Sequence, residues 1–256
     1  MAPVRAAAAC LLIALALAGC GGSGPAVPKG SPDARHGPGA IDAYAQVELL
    51  RALLVASSDS FYAGGSADDA RSQLRRARAA YDQLGARVGK ADPVVHHEVV
   101  VRFDTAAREL RQGVAPDHYR DIVGPLSDQL MDGVTQALVP PGARSDPGVQ
   151  AEALRRVALR LAATYDDAGS GGGDARSRLT FEEAWGLWRR AQALETLLGS
   201  DLGSQQDALA AALNDLRGPA FPNGPSEPGQ PATPKVDKAA ARVVGGLDKR
   251  FGLSAL

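Results

Sequence analysis

The sequence predicts an all-α protein, and three observations support this fold class. From Ile41 onward the chain is rich in Ala, Leu and Arg, and its apolar residues recur with helical spacing instead of alternating as in a strand. Glycine and proline collect between the apolar segments, where they end helices. N-cap residues such as Ser66 and Asp92 stand where segments begin. The predicted helices, about eight in all, cover 42–62, 67–88, 93–112, 117–138, 148–167, 175–198, 204–217 and 234–251.

Two of these helices carry apolar stripes that predict which face is buried. The third has apolar residues at i, i+4, i+8, i+11 and i+15, namely Val95, Val99, Phe103, Ala106 and Leu110. The sixth carries an aromatic stripe at i, i+4 and i+7, namely Phe181, Trp185 and Trp188. We interpret the aromatic stripe as core. A ligand cleft between two halves of the molecule is the alternative.

Three short matches in the same order predict that the helices form a duplicated four-helix up-down unit. Residues 69–74 return as 174–179, 109–111 as 215–217, and 123–126 as 244–247. The predicted organisation is helical repeat 1 at 41–139 and helical repeat 2 at 148–256, with a loop insertion at 218–235. Each repeat is expected to close on its own core. The spacing leaves open whether the repeats form two bundles or one merged body.

The fourth helix of each repeat has an unusual residue pair at the same position, Gly124-Pro125 in the first and Gly245-Gly246 in the second. Proline removes a backbone hydrogen bond and bends a helix, and two glycines weaken it. A kink or a close helix approach is therefore expected at this point. The alternative is that the helix ends there.

The N-terminal residues have the pattern of a secretory leader. A weakly basic start at 1–5 precedes an apolar run at 6–18, which is too short to span a bilayer. The run ends in Leu17-Ala18-Gly19-Cys20, which resembles the lipobox of bacterial lipoproteins. The resemblance implies a signal peptide at 1–19, cleavage before Cys20 and lipidation of Cys20. An ordinary secretory peptide with an incidental cysteine is the alternative.

This resemblance also implies where the protein works. Lipidated Cys20 would attach it to a membrane on the extracytoplasmic side of the cell envelope. Residues 20–40, rich in Gly, Pro and Ser, are predicted to be a flexible tether in which His36 is solvated. In a Gram-negative host, Gly21 in place of Asp would imply the outer membrane. No apolar run after residue 20 is long enough for a transmembrane helix.

Composition and motifs exclude several function classes. The formal net charge is −1 and no dense Lys/Arg patch is present, so no nucleic acid is expected as a partner. The two cysteines are Cys10 in the predicted leader and Cys20, so a mature chain would contain no disulfide. The chain has neither a nucleophile elbow nor a phosphate-binding loop. We therefore predict a non-enzymatic binding or interaction module, with its ligand and its oligomeric state open.

Two sets of polar residues are candidate functional sites. His and carboxylate side chains near the starts of the third and fourth helices would suit iron or zinc, although no cofactor is otherwise expected. These metal candidates are His96, His97, Glu98, Asp117, His118 and Asp121. An acidic stripe on the fourth helix is the candidate docking site for an envelope protein, through Asp121, Asp128 and Asp132. Solvated surface residues are the alternative for both sets.

One further pattern concerns residues 67–115. It consists of Arg76-x-Arg78-Ala79-Ala80-Tyr81-Asp82-x-Leu84, Asp92-Pro93 and Phe103-x-x-Ala106. This pattern resembles the helical extracytoplasmic domain attached to some FTR1-type bacterial iron permeases. The resemblance implies a metal-binding accessory lipoprotein for iron uptake. The Arg-Glu-Gly-Leu-Glu iron motif and the membrane helices of the permeases are absent from the chain, so no ligand residue is carried over.

Overall fold

The computed structural model describes residues 32–170, 174–227 and 232–253, and it confirms the all-α fold class. The helices are α1 (Pro32–His36), α2 (Pro38–Tyr62), α3 (Ala67–Ala91), α4 (Pro93–Arg111), α5 (Pro116–Pro125), α6 (Met131–Leu138), α7 (Pro141–Arg144), α8 (Pro147–Ser170), α9 (Ala175–Leu198), α10 (Gln206–Asn214), α11 (Arg217–Ala220) and α12 (Thr233–Phe251). A π turn (Leu126–Leu130) joins α5 to α6, and a 3-10 segment (Gly199–Gln205) leads into α10. Within these ranges no helix is long and apolar enough to cross a membrane. The predicted signal peptide and Cys20 lie outside the described residues.

The predicted caps form where the sequence places them. The Ser66 hydroxyl accepts a hydrogen bond from the Asp69 amide at 3.0 Å and so begins α3. The Asp92 carboxylate accepts from the amides of Val94 and Val95, and Pro93 occupies the first helical position, where it loses no hydrogen bond. Local chemistry therefore determines these starts.

The prediction of a flexible tether up to residue 40 is wrong for its last part. Residues 32–36 form α1, and α2 begins at Pro38, before the predicted start of the first repeat. His36, predicted to be solvated, contacts the Asp146 carboxylate at 2.7 Å, and Arg35 contacts the same group at 2.9 Å. Because Asp146 lies more than a hundred residues away, local composition could not indicate this anchoring contact.

Each half of the chain packs its four main helices in the same order of neighbours. In the first half α2 contacts α3 and the α5–α6 helix, and α4 contacts both of those neighbours. In the second half α8 contacts α9 and α12, and α10 lies against both of them. The common order agrees with an up-down unit, while the duplication itself stays a prediction.

Helix α2 belongs to both halves. This decides whether the two halves form two separate bundles or one merged body. Its first turns, including Ile41 and Tyr44, join the core of the second half. Its later residues Val47, Leu50 and Leu54 join the core of the first half. Helix α2 also packs against α9, so the two halves form one merged body within the described residues.

The aromatic stripe of α9 is core, as predicted. Phe181 is 4 % exposed, Trp185 8 % and Trp188 3 %. All three rings pack around Phe221, with ring centroids 5.3 to 5.4 Å from it. Phe221 is fully buried although it lies in the predicted loop insertion, and α11 covers the first residues of that insertion. The segment is thus partly structural, because its first residues fill the second core.

The fourth helices continue through the predicted weak point in both halves. In the first half Pro125 ends α5, and the π turn follows it directly before α6 continues the helix. In the second half α12 runs through Gly245 and Gly246 without a break. A Cβ atom on Gly246 would lie 2.5 Å from the Leu209 Cδ1 atom of α10. The expected close helix approach is therefore confirmed at Gly246, and in neither half does the backbone leave the helical conformation at this point.

Candidate functional site

The metal candidate His96 is part of the packing between α3 and α4. Its Nδ1 atom lies 2.8 Å from the Tyr81 hydroxyl, and its ring stacks on the Tyr81 ring. The ring also lies over Gly85 and Gly89, where a Cβ atom would come within 3.3 to 3.4 Å of it. Burial raises the pKa of Tyr81 to about 12, so Tyr81 stays a neutral hydroxyl beside the imidazole. His96 is therefore occupied by a structural contact.

The other metal candidates do not converge on one point. His97 and Glu98 are exposed on the first turns of α4, and Asp117, His118 and Asp121 are exposed on α5. His97 and Glu98, near the start of α4, line a groove with Gln129 and Leu130, which follow the end of α5, so the start of α5 lies away from them. In the part of the chain that the structure describes, no three His, Cys, Asp or Glu side chains form a metal-binding group. The iron or zinc hypothesis stays a prediction without a preformed site.

His97 and Glu98 instead line a groove between α4 and the π turn, which we call the α4 groove. Its volume is about 540 Å³, and its walls are His97, Glu98, Val101, Arg102 and Thr105 of α4 and Pro125, Gln129 and Leu130 opposite them. Val101 is 47 % exposed at the groove, and Val94, two turns earlier on the same face, is 66 % exposed. The groove thus combines apolar, acidic and basic side chains.

The π turn divides the predicted acidic stripe. One additional residue in a helical turn rotates the following residues by about 100°. Asp121 therefore lies on a different face from Asp132, and Asp128 lies within the turn itself, although the spacing alone predicts a single face. All three are exposed, but Asp132 accepts a hydrogen bond from Arg51 of α2 at 2.5 Å. Asp121 and Asp128 remain candidates for docking, whereas Asp132 holds α6 to α2.

Sequence reasoning missed a pair of buried ionic clusters. Glu48 on α2 is 2 % exposed and forms ion pairs with Arg51, at 3.6 Å, and with Arg190 of α9. Arg51 in turn binds Asp132 of the fourth helix. A buried carboxylate of this kind is stable only with such partners. This first cluster connects three helices and joins the two halves.

A second cluster repeats the first in the other half. Glu152 and Arg155 of α8 form an ion pair at 3.6 Å, and Arg155 donates to Asp248 of α12 at 3.1 Å. Arg156 connects Glu152 to Asp42 of α2. Both clusters begin with Glu-x-Leu-Arg, at 48–51 and 152–155. This repeated tetrapeptide was the signal by which the sequence could have indicated both clusters.

A third polar contact lies where α9 meets α2 and α3. Glu182 is 2 % exposed, accepts a hydrogen bond from the Ser60 hydroxyl at 2.5 Å and lies 3.3 Å from the Gln73 amide nitrogen. Burial raises the pKa of Glu182, and the hydrogen bonds from Ser60 and Gln73 oppose that rise. The Gln73 Oε1 atom has no hydrogen-bond partner among the described residues.

Comparison with protein-family models, with curated proteins and with solved structures finds no match for this chain. The resemblances to bacterial lipoproteins and to the permease-associated domain therefore stay predictions from the sequence.

Proposed function

We propose that this protein is a lipid-anchored, extracytoplasmic and non-enzymatic module that binds another protein of the cell envelope through its α4 groove. The observation that carries the proposal is the apolar lining of the α4 groove, where Val101, which is 47 % exposed, lies with Pro125 and Leu130. Apolar side chains grouped at a groove are typical of interaction sites, whereas isolated ones are not informative.

The surroundings of the groove indicate the chemistry of its partner. Glu98 lines the groove, Asp121 lies one helical turn before Pro125, and Asp128 directly precedes Gln129. Acidic residues thus accompany the apolar side chains of the groove, which suits a partner helix that carries apolar and basic side chains.

Photo-crosslinking in the native envelope tests the interaction. A photoreactive phenylalanine analogue at position 101 should crosslink one defined envelope protein. The matched control is position 197, because Leu197 is also apolar and is 54 % exposed, but lies on α9. The pair Asp121→Asn and Asp128→Asn should reduce the crosslinked product at position 101. Equal products from both positions, or none from either, would contradict the proposal.

The anchor is tested separately. Cys20→Ser removes the acceptor for the lipid and should move the protein from the membrane fraction to the soluble fraction after cell lysis. A protein that stays in the membrane fraction after this change is held by something other than a lipid on Cys20.

A further inference from the structure

A second cleft opens between the two halves, among α2, α3, α8 and α9, and we call it the seam cleft. Three arginines from three helices line it: Arg76 of α3, Arg160 of α8 and Arg176 of α9. Its volume is about 350 Å³, which is within the range of ligand clefts, roughly 300–1,000 Å³. The seam cleft is separate from the α4 groove and shares no residue with it.

A single carboxylate binds two of these arginines. Glu183 contacts Arg76 at 3.2 Å and Arg160 at 3.0 Å, and its side chain is only 14 % exposed. A guanidinium has five N–H donors, so one such contact leaves most donors of each arginine available. Glu183 therefore orients both guanidinium groups in the cleft without satisfying them.

The cleft has a positive charge balance. Arg76, Arg160 and Arg176 face two carboxylates, Glu183 and Asp167, which leaves an excess of one positive charge. Arg176 lies in the first turn of α9, a helix of 24 residues. The helix dipole adds to the positive potential at that end. The cleft thus attracts an anion.

A buried hydroxyl is the second, independent indication of a ligand. Thr164 of α8 lines the cleft and is 2 % exposed, and its Oγ1 atom has no hydrogen-bond partner among the described residues. A buried hydroxyl without a partner is unfavourable, so such groups are normally satisfied by protein, water or a ligand. Thr164 therefore brings an unsatisfied hydroxyl to the wall of the arginine-lined cleft.

We propose that the seam cleft binds a phosphate group, either free or as a monoester in a lipid headgroup. Guanidinium groups from three different helices line the cleft, and their many N–H donors suit a tetrahedral anion with several acceptor oxygens better than a planar carboxylate. This proposal goes beyond the envelope interaction and does not depend on it.

Isothermal titration of the full chain in detergent micelles with inorganic phosphate tests the proposal. Arg176→Ala should weaken binding at least about tenfold, as expected for a lost charged hydrogen bond. Thr164→Val keeps the shape of the side chain and should weaken binding without lowering the melting temperature. The matched control is Arg75→Ala, which removes the exposed arginine next to Arg76 on α3 but lies outside the cleft.

A second titration with dihexanoyl phosphatidic acid separates the two sources of phosphate. Affinity at least about tenfold above that of inorganic phosphate assigns the cleft to a lipid headgroup, whereas equal affinity assigns it to free phosphate. Absence of binding to both ligands at millimolar concentration would overturn the proposal. So would a loss in Arg75→Ala as large as that in Arg176→Ala, because binding would then depend only on general charge.

Discussion

The two halves of the molecule share their order of neighbours but fill their cores differently. The third helix of the first half, α4, has 19 residues and buries an aliphatic and aromatic stripe that includes Val99 and Phe103. Its counterpart α10 has only nine residues. Protein interiors are close-packed, so a shorter helix requires bulkier side chains elsewhere. In the second half Phe221 and the α9 tryptophans supply that volume.

The fourth helices show a second difference between the halves. In the first half a π turn follows Pro125 directly, and it changes the direction of every later side chain of the fourth helix. The second half keeps a regular helix and uses Gly246 for close contact with α10. The same position of the fourth helix therefore has a different conformation in each half, and the residues that pack against it decide which one forms.

The largest expected effect comes from Phe221→Ala in the second core. The change removes a fully buried ring that contacts four other rings and should lower the free energy of unfolding by about 4 kcal/mol. Urea unfolding followed by tryptophan fluorescence measures it, since the only two tryptophans, Trp185 and Trp188, lie beside this ring. Phe103→Ala, the first-half comparison, should leave the native tryptophan spectrum unchanged.

Gly186→Ala should push α2 and α9 apart and lower the free energy of unfolding by about 3 kcal/mol. A Cβ atom at Gly186 would overlap the carbonyl oxygen of Ala52 on α2, and backbone atoms cannot move aside as a side chain does. Urea denaturation measures the loss. Gly245→Ala is the control, because no atom lies within 4 Å of its added Cβ. A stable Gly186→Ala variant would contradict the close approach of α2 and α9.

The twin ionic clusters predict unequal effects in the two halves. Arg51→Ala should lower the free energy of unfolding by about 2 kcal/mol. Glu48 is almost fully buried, and after this change only Arg190 would form an ion pair with it. Arg155→Ala should lower the free energy of unfolding by about 1 kcal/mol, because its partner Asp248 is one third exposed. Thermal unfolding of both variants gives the comparison, and a reversed order would disprove this account of the clusters.

Glu182 predicts a pH dependence of the contact between the halves. Because burial raises its pKa in the folded chain, the folded state binds this proton more tightly than the unfolded state does. Its ionisation therefore costs stability as the pH rises from acid to neutral. Glu182→Gln should raise the free energy of unfolding at pH 7 and give no gain at pH 4. Denaturant titrations at the two pH values measure the change in the free energy of unfolding. An equal change at both would show that ionisation of Glu182 does not affect stability.

The smallest effects concern the glycines of the fourth helices. Gly124→Ala should stabilise the protein by about 0.5–1 kcal/mol, because the added Cβ meets no atom within 4 Å and alanine favours a helix. Gly246→Ala should give no such gain, since its Cβ would displace Leu209. Melting temperatures of the two variants provide the test. Equal gains would show that α10 and α12 are not in close contact at Gly246.

The sequence by itself determined the helical fold class, the main helices and much of their burial. Helical periodicity, N-caps such as Asp92 and the breaks at Gly and Pro are local signals, and local physics decides them. The apolar stripe of α4 and the aromatic stripe of α9 were predictable for the same reason. The candidate metal residues were also identifiable as residue types, but their relative positions were not.

Only the tertiary structure decided which distant groups meet. Asp146 orders residues 35 and 36 from across the chain, and Glu48 binds Arg190 in the other half. The π turn after Pro125 divides an acidic stripe that spacing alone would keep together. The seam cleft collects arginines from three helices. Such contacts depend on how helices pack against one another, and packing is a property of the whole body that no local pattern contains.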